Sequence, residues 1–144
     1  MKNKDIKVSL GIPVYNESLF LKDTIDSLLS QSYSNLEIIA IDNCSSDNSY
    51  EILKRYSEKD ERLKVYRNDI NIGLSNNFNL LVEKSTGEYF CWIGAHDIYD
   101  KFYIEKLLNK IIHSENSSVV FSNVSNINNE NEIIIEKKRL VFNY

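Results

Sequence analysis

Proline occurs once in this chain, glycine four times and cysteine twice. Each scarcity excludes something. Cys44 and Cys91 are too few and too far apart for a disulfide scaffold or a zinc site. Two reduced thiols are the expectation. There is no G-x-G-x-x-G after the first strand and no G-x-x-x-x-G-K-[ST] anywhere, which sets aside dinucleotide dehydrogenases and P-loop NTPases. H-E-x-x-H and G-x-S-x-G are missing as well. No apolar run approaches the roughly 18 residues that span a bilayer. The opening MKNKDIKVSLGIPVY carries charge but lacks the long apolar core of a secretory leader. Basic excess is also lacking. The net charge is -4, which argues against broad nucleic-acid binding.

What is present is ordinary for one globular domain. The 144 residues are 42% hydrophobic and 26% charged, enough for a real core, and a single domain over 1–144 is expected. Lys7 to Val14 reads as a short strand. Ser18 to Ser30 reads as a helix, with Leu21, Ile25, Leu28 and Leu29 on one face and Asn16 or Ser18 as its cap. Leu36 to Ile41 is nearly all apolar, as suits a strand covered on both faces. A helix from about Asn48 to Ser57 follows, capped by Ser46 or Asp47. Then come a strand at Leu63 to Arg67, a turn at Asn71 to Gly73 and a helix at Leu74 to Lys84. A strand at Glu88 to Ile93 and a helix at Lys101 to His113 complete the series. Cys91 is expected in the core, and His113 at its helix end is read as structural. Ser118 to Ser122 and Ile133 to Glu136, flanking the Asn-rich turn Asn126 to Asn131, read as a β-hairpin.

Alternation of strand and helix implies a mostly parallel sheet with helices on both faces and right-handed crossovers. Ligands in such sheets bind beyond the carboxyl ends of the strands. Four polar segments are predicted there: Pro13 to Glu17, Asp42 to Asp47, Arg67 to Gly73 and Gly94 to Asp97. This gathering of Asp, Asn, Ser and Tyr is the first sign of a site.

The run VSLGIPVYNESLFLKDTIDSLLSQSYSNLEIIAIDNCSSDNSYEILKRY resembles the inverting family 2 glycosyltransferases of the GT-A fold. Matching pieces are Pro13-Val14-Tyr15-Asn16-Glu17, Ser27 to Tyr33, Asp42 to Asp47, Asn71-Ile72-Gly73-Leu74 and Gly87-Glu88-Tyr89. They agree in order and spacing over about Lys7 to Leu108. The resemblance implies a Rossmann-like three-layer α/β/α sandwich that binds a nucleotide-diphospho-sugar and passes the sugar to an acceptor. A UDP-sugar is favoured over dTDP- or GDP-sugars, and the acceptor would be a saccharide or lipid-linked. By the same resemblance Pro13 and Tyr15 form the base pocket, and Glu17 belongs to the same binding set. Asp42 and Asn43 match an acidic pair whose second member accepts the base imide N–H. Asn43 could accept it through its amide oxygen but without charge. Without the resemblance, Asp42 would be read as an Asx-turn or helix cap. Asn71 and Asn79 match an N-x-G turn and an Asn deeper in the next helix. Phe78 stands where many members carry a basic residue.

Family members end the fourth strand in an Asp-x-Asp pair that binds Mg²⁺ or Mn²⁺. Here those positions are Gly94, Ala95 and His96, and Asp97 follows. Asp97 is the expected metal ligand. His96 is either a second ligand, better suited to Mn²⁺ than to Mg²⁺, a phosphate donor or a plain turn residue. The general base of an inverting transfer is not expected among Glu130, Glu132 and Glu136. It is expected in an acceptor-binding half outside this chain. The alternative reading is a non-catalytic, degenerate GT-A module that binds a nucleotide-sugar. A sugar-phosphate nucleotidyltransferase would want a Gly-rich basic loop, which PVYNESLF lacks. A cytoplasmic location is expected, at the inner membrane face if the acceptor is lipid-linked.

Overall fold

The computed structural model describes residues 6–114, 118–128, 130 and 132–137. The elements run β1 Val8–Val14, α1 Leu21–Leu29, β2 Leu36–Asp42, α2 Ser49–Ser57 and β3 Leu63–Arg67. They continue with α3 Leu74–Lys84, β4 Tyr89–Trp92, α4 Tyr103–Ile112, β5 Val124–Ile127 and β6 Ile133–Lys137. Two compact units divide the chain, one reaching Ile104 and the other starting at Glu105. Among the described residues no helix is long and apolar enough to cross a membrane.

The first unit holds a four-stranded sheet in the order β3-β2-β1-β4, and every pairing in it is parallel. The apolar run of β2 explains its central place: all seven of its residues are buried. Partners in register on neighbouring parallel strands share a face. Gly11, Ile39 and Ile41 therefore lie on one side, where Leu81 of α3 closes the core. Leu10, Ile12 and Ile38 face the other side and are fully buried there. Each such side chain contributes about 1.5–3 kcal/mol by burial. α2 covers that second side, because Arg67, in register with Asp42, stacks on the ring of Tyr50 of α2. Leu21, Ile25 and Leu28 of α1 are buried, and α1 packs beside α2.

The helix changes sides for a reason. From β1 to β3 the sheet grows in one direction. After β3 the chain returns past β1 to form β4. A right-handed crossover then requires the connecting helix on the opposite face. The reversal leaves a switch point between β1 and β4 at the carboxyl edge, where ligands of open α/β sheets bind.

Three expectations need correction. α1 begins at Leu21, not Ser18, and has no side-chain cap. The N–H of Ser18 instead goes to Asp47 Oδ2 at 3.0 Å, so a partner distant in sequence takes the donor a cap would have served. Cys91 is only partly buried, because β4 is an edge strand and its neighbour Trp92 is 53% exposed. The second unit does contain an antiparallel hairpin, but its first strand is Val124–Ile127 and not Ser118 to Ser122. Asn128 sets the turn. Its Oδ1 accepts the N–H groups of Glu130 and Glu132, each at 2.9 Å, and its own N–H donates to Glu132 O. Side-chain-to-backbone closure of this kind fixes where pairing starts, and so Ile127 pairs with Ile133. Asn129 and Asn131 of the expected turn lie outside the described residues.

Candidate functional site

All four polar segments follow the carboxyl end of a strand in one parallel sheet. They are also stitched to one another by side chains. The first segment, with Ser18 after it, reaches the second and Ser49 just beyond it through three backbone donors. Asn16 N–H donates to Ser45 Oγ (3.0 Å), Glu17 N–H to Ser49 Oγ (2.9 Å) and Ser18 N–H to Asp47 Oδ2 (3.0 Å). In return Asn16 Oδ1 accepts Ser46 N–H at 2.9 Å. Asn16 adopts a positive φ of 56°, the left-handed region that Asn tolerates better than most residues. Asp47 divides its carboxylate between this loop and Ser49 N–H at the start of its own helix. Burial works to raise its pKa, but the donors of Ser49 and Ser18 outweigh it and hold Asp47 at about 2. Ser45, Ser49 and their backbone partners were not legible in the sequence, since some thirty residues separate donor from acceptor.

The second segment joins the third through an asparagine network. Asn43 is 4% exposed. Its Oδ1 accepts Ile72 N–H at 3.0 Å and Asn68 Nδ2–H at 2.9 Å, while its Nδ2 donates to Asn71 Oδ1 at 2.9 Å. The backbone donor from Ile72 fixes which end of the amide is oxygen. Both acceptor positions of that oxygen are therefore occupied within the chain. Asn43 braces the Asn71-Ile72-Gly73 turn. Asn71 Oδ1 also accepts Gly73 N–H, and Gly73 takes φ 81° at the head of α3, the conformation glycine alone adopts freely. In α3 the buried asparagine is Asn77, whose Nδ2 donates to Ile41 O at 3.1 Å and whose Oδ1 accepts from Asn68. Asn79 is exposed. Two residues along a helix turn the side chain by about 200°, so these two asparagines face different ways.

Asp42 is wholly buried at the end of β2. Its Oδ2 accepts Ser45 N–H at 3.1 Å and pairs with Arg67 Nε at 3.2 Å. Its Oδ1 is buried without a hydrogen-bond partner among the described residues. Arg67 also donates to Ser45 O at 3.1 Å, which ties the second segment to β3. Tyr15, just past the end of β1, is 49% exposed. Pro13, the next-to-last residue of β1, is partly buried.

The first and fourth segments meet across the switch point, where Glu17 Oε1 lies 3.3 Å from His96 Nδ1. His96 and Asp97 are both exposed. Their turn is moored on α1. Thr24 Oγ1 donates to Ala95 O at 3.0 Å, and Tyr99 N–H donates to Ser27 Oγ at 3.2 Å. The hydroxyl of Tyr99 accepts Gly94 N–H at 2.9 Å and faces Asp97 Oδ2 at 3.4 Å. Burial pushes that phenol well above its ordinary value, so it stays protonated. Among the described residues no three of His, Cys, Asp and Glu gather as a cation site.

A Rossmann-like α/β unit with polar loops gathered at its switch point belongs to the class of open α/β domains whose ligands bind at that edge. The sequence makes the class specific: the family model for glycosyl transferase family 2 matches residues 9–143. The chain belongs to that family. The glycosyltransferase TuaG of Bacillus subtilis, named for teichuronic acid biosynthesis, is 34% identical over 108 residues, or 75% of this chain and 43% of TuaG. The structure of S. aureus TarS 1-349 in complex with UDP-GlcNAc superposes with a TM-score of 0.68 at 23% identity. It covers 74% of this chain and 32% of that one. A mannosyltransferase from Pyrobaculum calidifontis in complex with GDP-Man and Mn²⁺ gives a TM-score of 0.68 at 21% identity, covering 79% and 34%. At these identities the two structures establish the GT-A fold. The chain spans 15% to 43% of the length of the curated relatives it matches.

Proposed function

We propose that this chain supplies the donor-binding portion of an inverting glycosyltransferase. The sugar would come from a nucleotide-diphospho-sugar, with UDP favoured over dTDP or GDP. It would pass to a saccharide or lipid-linked acceptor in cell-surface polysaccharide or glycolipid synthesis. The bond from the anomeric carbon to the diphosphate breaks as the bond to the acceptor oxygen forms. The acceptor proton leaves to a general base. The observation that carries this reading is the stitching of four polar loops around the β1/β4 switch point. Family membership supports transfer chemistry, the TarS complex with UDP-GlcNAc favours UDP, and TuaG's name, for teichuronic acid biosynthesis, favours polysaccharide synthesis.

In this reading Tyr15 lays its ring on the base, with Pro13 beside it. Asn43 holds Asn71 and the turn after it against the nucleotide rather than spending its own oxygen on the base. Asp42 fixes the loop through Ser45 and Arg67. Asp97 and His96 face the diphosphate. An exposed carboxylate next to an imidazole fits Mg²⁺ or Mn²⁺ whose remaining ligands are phosphate oxygens and water, the usual arrangement where protein supplies only one or two carboxylates. Such an ion would neutralise charge on the departing diphosphate. A cytoplasmic location, at the inner membrane face for a lipid-linked acceptor, belongs to the same proposal.

Calorimetric titration with UDP, dTDP and GDP, with and without Mn²⁺, tests the reading. UDP is expected to bind most tightly, and Mn²⁺ to strengthen its binding about tenfold or more. No binding of any of the three in either condition would refute the donor site.

A further inference from the structure

Residue 94 has no side chain, and the space a side chain would enter is filled from three residues away. A Cβ on Gly94 would collide with Asp97 Oδ2 and sit 3.0 Å from Asp97 Cγ. The three nearest heavy atoms to that point all belong to Asp97, the third being its Cβ at 3.7 Å. The carboxylate of Asp97 is folded back over Gly94 by a tight turn, in which Asp97 N–H donates to Gly94 O at 3.2 Å. Tyr99 grips both ends, accepting Gly94 N–H and facing Asp97 Oδ2. Thr24 and Ser27 of α1 hold the turn in place on either side.

We infer that Gly94 and Tyr99 are positioning residues for the Asp97 carboxylate. The missing Cβ lets that carboxylate occupy the volume a side chain on residue 94 would take, and the tyrosine hydroxyl keeps it there. The inference rests on the donor-site reading above and deepens it. It assigns the acidic function of this corner to one carboxylate delivered from position 97 into the space of position 94. The site then depends on a residue with no functional group of its own. Any side chain at 94 must expel the carboxylate, and a carboxylate carried by residue 94 would enter the same volume directly.

The test is UDP titration with and without MnCl₂, with Mn²⁺ binding followed separately by electron paramagnetic resonance. Four proteins are compared: the unaltered chain, Gly94→Ala, Tyr99→Phe and the transposed double variant Gly94→Asp/Asp97→Ala. Thermal melts report on folding. Gly94→Ala is expected to lose most of the Mn²⁺-dependent gain in UDP affinity, about tenfold or more, a larger loss than any it causes in metal-free binding. Tyr99→Phe should lose a smaller part, and the transposed variant should regain the metal response to within about threefold. A plain structural defect would lower binding with and without metal alike and would not be rescued by transposition. If the unaltered chain responds to Mn²⁺ and Gly94→Ala responds equally, the inference is wrong while the donor-site reading stands. If Gly94→Ala does not fold, an unchanged metal response in Tyr99→Phe together with none in the transposed variant overturns it. If the unaltered chain shows no metal response, the inference falls and so does the metal part of the donor-site reading.

Discussion

Glu37→Gln is expected to lower stability at neutral pH by about 2–3 kcal/mol and to flatten the acid branch of the stability profile. Glu37 is 2% exposed within the central strand, a costly place for a charge. Its Oε1 accepts Ser9 Oγ–H at 2.9 Å and Thr86 N–H at 2.8 Å. Its Oε2 accepts Lys64 Nζ at 2.7 Å and Lys7 Nζ at 3.1 Å. Burial alone would raise its pKa. The bonds from Lys64, Thr86, Ser9 and Lys7 outweigh that and bring it from 4.5 to about 2. The lysines are 39% and 48% exposed, so water screens part of the gain, which trims about 3 kcal/mol to the range above. The sign follows from the depressed value. The stability is fully present above the unfolded pKa near 4.5 and is lost as the pH falls through the folded value near 2. Urea melts along that window should show the unaltered protein converging on Glu37→Gln. Parallel profiles would show that the carboxylate carries no such linkage. Glu37 lies near the amino end of β2, away from the polar loops, so UDP affinity should not move in the folded variant.

Asp97→Ala is expected to abolish the metal-dependent part of UDP binding, a loss of about 10- to 100-fold at saturating Mn²⁺. Metal-free affinity should stay within about twofold, since the base and ribose side of the site is untouched. Asp97 is exposed, and among the described residues its side-chain hydrogen bond is the long one to Tyr99, so the variant should melt like the unaltered chain. Asp97→Asn separates charge from shape and should behave like Asp97→Ala. His96→Ala should cost less, because an imidazole is the weaker partner for a hard cation. A metal response surviving in both Asp97 variants would move the cation elsewhere.

The fold was largely legible because its signals are local. The nearly all-apolar LEIIAI announced a doubly covered strand, and the spacing of Leu21, Ile25 and Leu28 announced a helix face. The alternation of elements then gave the parallel sheet and placed four loops on one edge. What stayed illegible depends on distant partners. Nothing in the local sequence accounts for Glu37 within that strand, and only Lys7, Lys64 and Thr86 explain its burial. The start of α1 was misplaced because Asp47, from the next loop, takes the Ser18 donor. The hairpin strand was drawn to the apolar SVVFS, while Asn128 closed the turn nearer Val124. Within the site, the family motif pointed to Asn43, but the burial of that residue inside an amide network rests on Asn68, Asn71 and Ile72. The relation of Gly94 to Asp97 needed coordinates, because a vacant Cβ position has no signature in sequence.

On the proposed reading, a nucleotide-sugar donor sits across the four loops at the β1/β4 switch point. Hydrogen–deuterium exchange with UDP and Mn²⁺ against the free protein tests it most directly. Slowed exchange is expected in peptides covering Tyr15 to Ser18, Asn43 to Asp47, Asn68 to Gly73 and Gly94 to Asp97, with the amino edge of the sheet around Glu37 and Thr86 unchanged. Saturating UDP that slows exchange only outside those four segments would contradict it.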